Sequence, residues 1–281
     1  MRMRGGHSVD ASRTETIEAA SPGPGASEVW GLALSSGAAR GAAHAGALLA
    51  LAEYGVDTEI VVGTSVGALI GGAWSAGLSA AKIAERIEAV TWSDFGSLRP
   101  SWRIALIETT ALRANLHWIF QRRHVEDLPR RFAAVATDVR TRRAVLLDRG
   151  SAATAVEASV AVPGVFPPVR VGDRVLVDGA LNSQLPVWAA RRLGATRTIG
   201  VRLRVPTSRS GRSALQRAVL PPAEIIQPDI EIVIDTDGHS SWSSRDVPRL
   251  MALGYDAASR QLHACAQEMD LTSMRVAGVR R

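Results

Sequence analysis

Short apolar runs alternate with longer stretches of helix-forming residues in the first part of the chain. Val29 to Ser35 has the composition of a buried strand, and Gly41 to Tyr54 is rich in alanine and leucine, which favour a helix. The order repeats from Glu59 to Val62, where a mainly β-branched strand precedes a small-residue turn and a second helix ending near Ser75. This alternation predicts an α/β fold, a three-layer sandwich with a mostly parallel central sheet.

The rest of the chain continues the pattern less regularly. Further strands are predicted at Phe132–Asp138, Ala144–Asp148, Val169–Val171, Val175–Val177, Thr198–Arg204 and Glu231–Asp235. Further helices are predicted at Ser79–Val90, Ser151–Ser159 and Val247–Glu268. Between Thr91 and Asp127 the aromatic residues cluster. This part is either a cap or lid, or two short helices whose aromatic side chains pack in the core.

Composition changes at both ends of the chain. Residues 1–28 are rich in Gly, Ser, Pro and acidic residues and lack an apolar stretch, which predicts a disordered leader rather than a signal peptide. Residues 269–281 are predicted to be a basic tail, and residues 29–268 one catalytic domain. No run approaches the roughly 18 apolar residues that a membrane span requires.

The formal net charge of +6 comes almost entirely from arginine, because Lys82 is the only lysine. We interpret these arginines as solvated surface. The alternative is a basic rim that would favour peripheral contact with an anionic membrane surface. The arginines lack interleaved aromatic residues, so no nucleic-acid partner is predicted, and the sequence does not indicate an oligomeric state.

Cys265 is the only cysteine in the chain, so no internal disulfide can form. This usage is typical of a reducing compartment, and a cytoplasmic protein is predicted. The thiol itself is expected to be a small buried hydrophobic group. No cluster of residues has metal-ligand spacing, and no metal or other cofactor is predicted.

The segment from Gly63 to Gly67 fits the Gly-x-Ser-x-Gly pattern, with Ser65 at its centre. In such an elbow the glycines relieve crowding, while the serine is forced out of a sharp turn between a strand and a helix. The pattern alone is weak, and a close-packed turn is the structural alternative. Its position directly after a β-branched strand is the context that a nucleophile elbow requires.

A serine hydroxyl needs a base to take its proton, and Asp178 is the candidate. It ends a predicted strand and precedes a glycine, although Asp-Gly is also a common turn. Acyl transfer further needs donors aimed at the developing oxyanion. The small-residue loop from Ser35 to Gly41 offers backbone N–H groups at the start of a helix, where the helix dipole favours negative charge.

Together these segments resemble the patatin-like phospholipase family. That family combines a Gly-Gly-Gly-x-Arg-Gly loop, a Gly-x-Ser-x-Gly elbow and an Asp-Gly-Gly or Asp-Gly-Ala motif in this order. The corresponding segments here are SSGAARG, GTSVG and DGA, and the passage ASVAVPGVFPPV is similar to the family's segment before the aspartate. Gly254-Tyr255 resembles the family's C-terminal helix, so the resemblance covers about Trp30 to Ala258.

The resemblance implies a Ser-Asp dyad without histidine that acts on lipid ester bonds through an acyl-enzyme. Ser65 would attack the carbonyl, Asp178 would accept the proton, and Gly37 and Ala38 would donate N–H groups to the oxyanion. Arg40, at the position of the motif's arginine, would support the loop together with Gly41. A partly desolvated Asp178 with a raised pKa would suit this task.

One departure from the family pattern concerns the three glycines, which are Ser36, Gly37 and Ala38 here. The N–H groups are retained, but a positive φ costs a residue with a Cβ on the order of 1–2 kcal/mol. A shifted loop with weaker or altered activity is therefore expected.

Two other functions stay open at this point. An α/β-hydrolase triad would use Ser65 and Asp178 with His239 or His263, which follow in that fold's chain order. Alternatively, the altered glycine loop would suit a weakly active regulatory or binding protein. A nucleotide site is disfavoured, since the loop lacks Gly-x-Gly-x-x-Gly spacing and a lysine.

Overall fold

The structure, a computed structural model, describes residues 28–89, 109–204, 226–239 and 245–268. Its described residues form an eight-stranded sheet with helices on both faces, which confirms the predicted α/β sandwich. The strands lie in the order β5-β6-β3-β2-β1-β7-β8, and β4 also pairs with β3. Neighbours from β3 through β2, β1 and β7 to β8 are parallel, whereas the pairs that involve β4, β5 and β6 are antiparallel.

The strands are short and mostly buried. They are β1 (Trp30–Leu34), β2 (Ile60–Thr64), β3 (Arg131–Asp138), β4 (Ala144–Leu147), β5 (Val169–Val171), β6 (Arg174–Asp178), β7 (Arg197–Arg204) and β8 (Ile230–Asp235). The helices are α1 (Ala42–Glu53), α2 (Val66–Ser75), α3 (Ala80–Glu88), α4 (Thr110–Phe120), α5 (Ala152–Ser159), α6 (Val187–Arg192) and α7 (Val247–Glu268). All but α4 and α6 lie where the sequence predicts an element, and α4 lies in the aromatic region for which a lid or two short helices stayed open.

Strands β2 and β6, which are distant in the chain, both pair with β3. β2 pairs with residues 131–135 of β3 and ends where Thr64 faces Val135. β6 pairs with residues 136–138, beginning where Asp178 faces Ala136. β4 occupies the opposite edge of β3 over the residues at which β2 ends and β6 begins. β2 and β6 therefore lie end to end along one edge of β3, so the turns after Thr64 and Asp178 meet.

The two faces of the sheet are covered unequally. Most helices contribute to one large core that includes Leu34, Leu48 and Phe132, whereas α6 packs on the other face against Ala33 and Val62. Cys265 is buried at the edge of the large core, as predicted. Burial of these apolar side chains provides the main stabilisation of the three layers.

Helices α1 and α7 approach each other very closely. A Cβ at Gly46 would lie 1.9 Å from the carbonyl oxygen of Met251, and a Cβ at Gly254 would lie 1.9 Å from that of Ala43. Only glycine allows two helix backbones to come this near. The C-terminal helix is thereby fixed against the first helix, which follows the loop from Ser36 to Gly41.

Part of the sequence prediction falls outside the described residues. This part includes the predicted leader up to residue 27 and the predicted basic tail at residues 269–281. It also includes the first part of the aromatic region, up to residue 108. From Thr109 onward that region forms α4, in which Phe120 is buried in the core, while Trp118 is half exposed beneath the guanidinium of Arg86. Within the described ranges, no helix combines the length and apolar character needed to cross a membrane.

Candidate active site

Ser65 occupies a strained turn between β2 and α2. Its backbone has φ 56° and ψ −124°, a region that residues with a Cβ rarely adopt. The flanking glycines permit the turn: a Cβ at Gly63 would lie 2.3 Å from the carbonyl oxygen of Gly67, and one at Gly67 would lie 2.3 Å from that of Leu34. This is the geometry of a nucleophile elbow, in which the serine lies at the N-terminus of a helix.

The structure brings Ser65 and Asp178 together. The Ser65 hydroxyl donates a hydrogen bond of 2.7 Å to Oδ2 of Asp178, and both side chains are buried. Oδ1 of Asp178 accepts from the backbone N–H of Ala180 at 2.7 Å. A Cβ at Gly179 would lie 2.1 Å from the carbonyl oxygen of Val135, so the Asp-Gly-Ala turn rests directly on β3. Both carboxylate oxygens are therefore held in place.

The carboxyl group of Asp178 is unusually basic. Burial raises its pKa from 3.8 to about 6, and the hydrogen bonds from Ser65 and Ala180 offset part of this effect. Burial disfavours the charged form, whereas donors to the carboxylate favour it. At neutral pH the group is mainly ionised, yet it accepts a proton more readily than an ordinary aspartate.

The loop from Ser36 to Gly41 adjoins the elbow. Ala38 has φ 51°, so it adopts the left-handed conformation that favours glycine. A Cβ at Gly41 would lie 2.1 Å from the side chain of Val66, the residue after Ser65. Among the described residues, the N–H groups of Gly37 and Ala38 have no hydrogen-bond acceptor. The loop thus presents two unpaired donors beside the elbow.

The side chains of Arg40 and His44 each bond a backbone carbonyl oxygen outside this loop. Nε of Arg40 donates to the carbonyl oxygen of His239 at 2.8 Å. Nε2 of His44 lies 2.7 Å from the carbonyl oxygen of Ser35, and because a carbonyl can only accept, Nε2 carries the proton. Burial lowers the pKa of His44 to about 4, so the imidazole is neutral at physiological pH. Both side chains contact the backbone around the loop rather than Ser65.

The side chains of the two candidate triad histidines, His239 and His263, have other partners. Nδ1 of His239 is 3.3 Å from Oδ2 of Asp246. Nε2 of His263 is 3.1 Å from the Gln267 side chain on exposed α7 surface. The structure brings neither histidine into the hydrogen bond between Ser65 and Asp178, which is direct. Within the described part of the chain, no group of three or more His, Cys, Asp or Glu is arranged to hold a metal ion.

The sequence analysis missed Ser159, which touches the elbow. Its Oγ accepts from the backbone N–H of Ser65 at 2.8 Å and donates to the carbonyl oxygen of Val135 at 2.6 Å. A signal was present, since Ser159 is the single polar residue in the stretch from Ala158 to Phe166. Its partner at the elbow, however, lies 94 positions away along the chain.

Comparison with known families agrees with this geometry. The family model described as "Patatin-like phospholipase" matches residues 32–191, more than half of the chain, and this span includes Ser65 and Asp178. The chain belongs to the patatin-like phospholipase family. The resemblance noted in the sequence is thus confirmed.

Relatives similar in sequence come from bacteria and animals. An uncharacterized NTE family protein of Mycobacterium bovis is 34% identical over 197 residues, which cover 65% of this chain and 53% of that protein. Mouse patatin-like phospholipase domain-containing protein 6 is 31% identical over 177 residues, covering 60% of this chain and 13% of that protein. The match thus spans about half the length of the mycobacterial relative.

The fold is shared with a solved structure. The crystal structure of VipD from Legionella pneumophila superposes with a TM-score of 0.59 over 90% of this chain and 72% of that chain. The sequences are only 14% identical, so this likeness concerns the fold.

Proposed function

We propose that this protein is a serine acyl hydrolase that cleaves lipid ester bonds through a dyad of Ser65 and Asp178, within a domain of residues 29–268. The observation that carries the proposal is the direct hydrogen bond of 2.7 Å from the Ser65 hydroxyl to the Asp178 carboxylate. Nucleophile and base must lie within this distance for proton transfer. The raised pKa of Asp178, about 6, supports its role as the base.

In the acylation step, Oγ of Ser65 attacks the ester carbonyl carbon while Asp178 takes the hydroxyl proton. A tetrahedral intermediate forms, and its negative charge resides on the former carbonyl oxygen. When the intermediate collapses, the bond to the alcohol oxygen breaks. The protonated Asp178 then donates its proton to this leaving oxygen, so the alcohol departs neutral and the acyl group stays on Ser65.

Deacylation repeats the same proton transfers with water. Asp178, ionised again, takes a proton from a water molecule that attacks the acyl-enzyme carbonyl. Collapse of the second intermediate returns the proton to Ser65 and releases the fatty acid. One carboxyl group can serve both half-reactions because it alternates between its two protonation states at a pH near its pKa.

The oxyanion would be stabilised by the N–H groups of Gly37 and Ala38. Their lack of an acceptor among the described residues supports this role, since donors engaged elsewhere could not respond to a developing charge. The positive φ of Ala38 indicates that the loop keeps a glycine-like course despite the substitution. Ala38 therefore bears a conformational cost, which we expect activity or stability to reflect.

The principal test is an activity panel over ester chain lengths and head groups. It should include phospholipid, lysophospholipid, glyceride and thioester substrates, because the fold does not specify the substrate. Ser65→Ala and Asp178→Asn are the controls, each expected to lower kcat by about 10³-fold or more. Hydrolysis by the unaltered protein that equals that of Ser65→Ala on every substrate would refute the proposal.

The same panel separates a dyad from a triad. His239→Ala and His263→Ala are expected to retain activity, because the hydrogen bond from Ser65 to Asp178 contains no imidazole. Loss of activity in one of these variants, with the fold intact, would instead support a triad. A regulatory protein without activity would leave Ser65 unreactive toward a fluorophosphonate probe, whereas the dyad predicts covalent labelling at Ser65.

Substrate delivery would occur at a lipid surface. The excess of arginine gives the chain a net charge of +6, which favours peripheral contact with anionic lipids. We expect co-sedimentation with phosphatidylserine-containing vesicles that weakens as salt is added, and little with purely zwitterionic vesicles. Equal binding to both kinds of vesicle would argue against an electrostatic contribution.

A further inference from the structure

The hydroxyl of Ser159 joins two backbone groups from different elements. Ser159 is the last residue of α5 and is fully buried. Its oxygen accepts the N–H of Ser65 at 2.8 Å, and its hydrogen goes to the carbonyl oxygen of Val135 at 2.6 Å. A serine hydroxyl has one hydrogen to donate, so these two bonds define its orientation completely. The elbow is thereby tied to β3 through a single side chain.

The segment that begins at Ser159 also holds the aspartate. Two residues further on, the carbonyl oxygen of Ala161 accepts the backbone N–H of Asp178 at 2.9 Å. The segment from Ser159 to Ala161 therefore contacts the backbones of both Ser65 and Asp178. β3 provides the common support, since Val135 contacts Ser159 and Ala136 pairs with Asp178. The positions of Ser65 and Asp178 relative to each other depend on this short segment.

The hydrogen bond to Ser159 also determines whether the Ser65 N–H can donate to an oxyanion. Ser65 has φ 56°, so without an external partner its backbone would tend to relax toward a more common conformation. Its N–H is directed to Ser159 and is therefore not available to an oxyanion. This leaves the charge of the intermediate to other donors, such as those of Gly37 and Ala38.

We infer that Ser159 is a positioning residue for the reaction: its hydroxyl holds the strained backbone of Ser65 so that the nucleophile stays in line with Asp178. This inference rests on the proposed function. It assigns no contact with substrate to Ser159. Errors of about 1 Å in such an alignment cost on the order of 10²-fold in rate.

The test compares Ser159→Ala and Ser159→Thr in steady-state ester hydrolysis. Ser159→Ala is expected to lower kcat about 10- to 100-fold with KM within about twofold, because alignment rather than substrate binding is lost. Ser159→Thr keeps the hydroxyl and is expected to recover most of the activity. Should the alanine variant be insoluble, Ser159→Cys keeps the volume but offers only a weak acceptor, and the same loss is expected.

The pH dependence of kcat/KM distinguishes misalignment of Ser65 from a general loss of stability, because a general loss of stability would leave its apparent pKa unchanged. The hydrogen bond from Ser65 lowers the pKa of Asp178. A misplaced Ser65 would weaken this bond, so the acid limb of kcat/KM should shift to higher pH in Ser159→Ala. The matched control is Ser151→Ala, which removes the N-terminal cap of the same helix at its other end. It should lower the Tm and leave kcat and the pH profile unchanged.

Three results would overturn the inference. The first is a kcat of Ser159→Ala within about twofold of the unaltered protein while Ser65→Ala is inactive. The second is an equal loss in Ser151→Ala, which would show a general effect of α5. The third is an unaltered protein that is no more active than Ser65→Ala; in that case the proposed function itself fails and the inference falls with it.

Discussion

Oγ of Ser65 lies 2.7 Å from Oδ2 of Asp178, although the two residues are 113 positions apart in the chain. The contact arises because β2 and β6 follow each other along one edge of β3, so that the turns at their ends meet.

The first prediction concerns the pH dependence of activity. Asp178 must be ionised to accept the serine proton, and burial raises its pKa to about 6. We expect kcat/KM to fall tenfold per pH unit below an apparent pKa of about 6 and to level off above it. Initial rates on a water-soluble ester between pH 4 and 9 test this. A profile that is flat through this range would contradict Asp178 as the base.

The second prediction concerns stability. Because the folded-state pKa of Asp178, about 6, exceeds the unfolded value of 3.8, protonation favours the folded state. The stabilising contribution is fully present below the unfolded value and is lost as pH rises through the folded one. Asp178→Asn mimics the protonated form, so it should raise the free energy of unfolding by on the order of 1–3 kcal/mol at pH 8.

Denaturant unfolding of both proteins at pH 8 and near pH 4 measures this difference. The advantage of Asp178→Asn should shrink toward pH 4, where the aspartate is itself protonated in the folded state. Asp173→Asn, a change on the exposed hairpin between β5 and β6, is a suitable control with little expected effect. Equal stability of Asp178→Asn and the unaltered protein at pH 8 would disprove the prediction.

The third prediction concerns the loop beside the elbow. Ala38 has φ 51°, so Ala38→Gly removes strain of about 1 kcal/mol while adding flexibility to the unfolded chain. We expect unchanged or slightly higher stability together with equal or higher esterase activity. The neighbouring Ala39 does not have a positive φ, so Ala39→Gly should cost about 0.5–1 kcal/mol. Lower activity of Ala38→Gly would oppose this account of the loop.

The fourth prediction concerns the turn after Asp178. A Cβ at Gly179 would lie 2.1 Å from the carbonyl oxygen of Val135, so Gly179→Ala must move the turn away from β3. We expect activity to fall at least about tenfold and stability by about 1–3 kcal/mol. Gly172→Asn is the control, because Gly172 has open space around it and a positive φ that asparagine tolerates. Full activity in Gly179→Ala would be inconsistent with the proposed alignment.

Local sequence determined most of what could be predicted. The strand and helix positions follow from apolar runs and small-residue turns, and the elbow at Ser65 follows from the spacing of Gly63 and Gly67 around the serine. The Asp-Gly-Ala turn could be recognised from its own three residues at the end of a predicted strand. The assignment of these residues to catalysis came from the order of three motifs, and it stays a prediction until activity is measured.

Other features depend on contacts that no local pattern encodes. The position of β6, antiparallel to β3 and beyond the end of β2, depends on how strands that are distant in the chain pair with β3. The role of Ser159 depends on a partner 94 residues away. Helix α6 has only six residues, too few for a helical period to be recognised.

Because β1 pairs in parallel with β7, the segment that the fold needs extends beyond the segment that the family model matches. The family match ends at residue 191, but all five residues of β1 pair with β7, which begins at Arg197. A fragment cut at the end of the match would expose the backbone of the strand that leads into the Ser36 loop. It would also strip the C-terminal helix from α1. Such a truncation would present an open sheet edge prone to aggregation, so expression trials need the full span through α7.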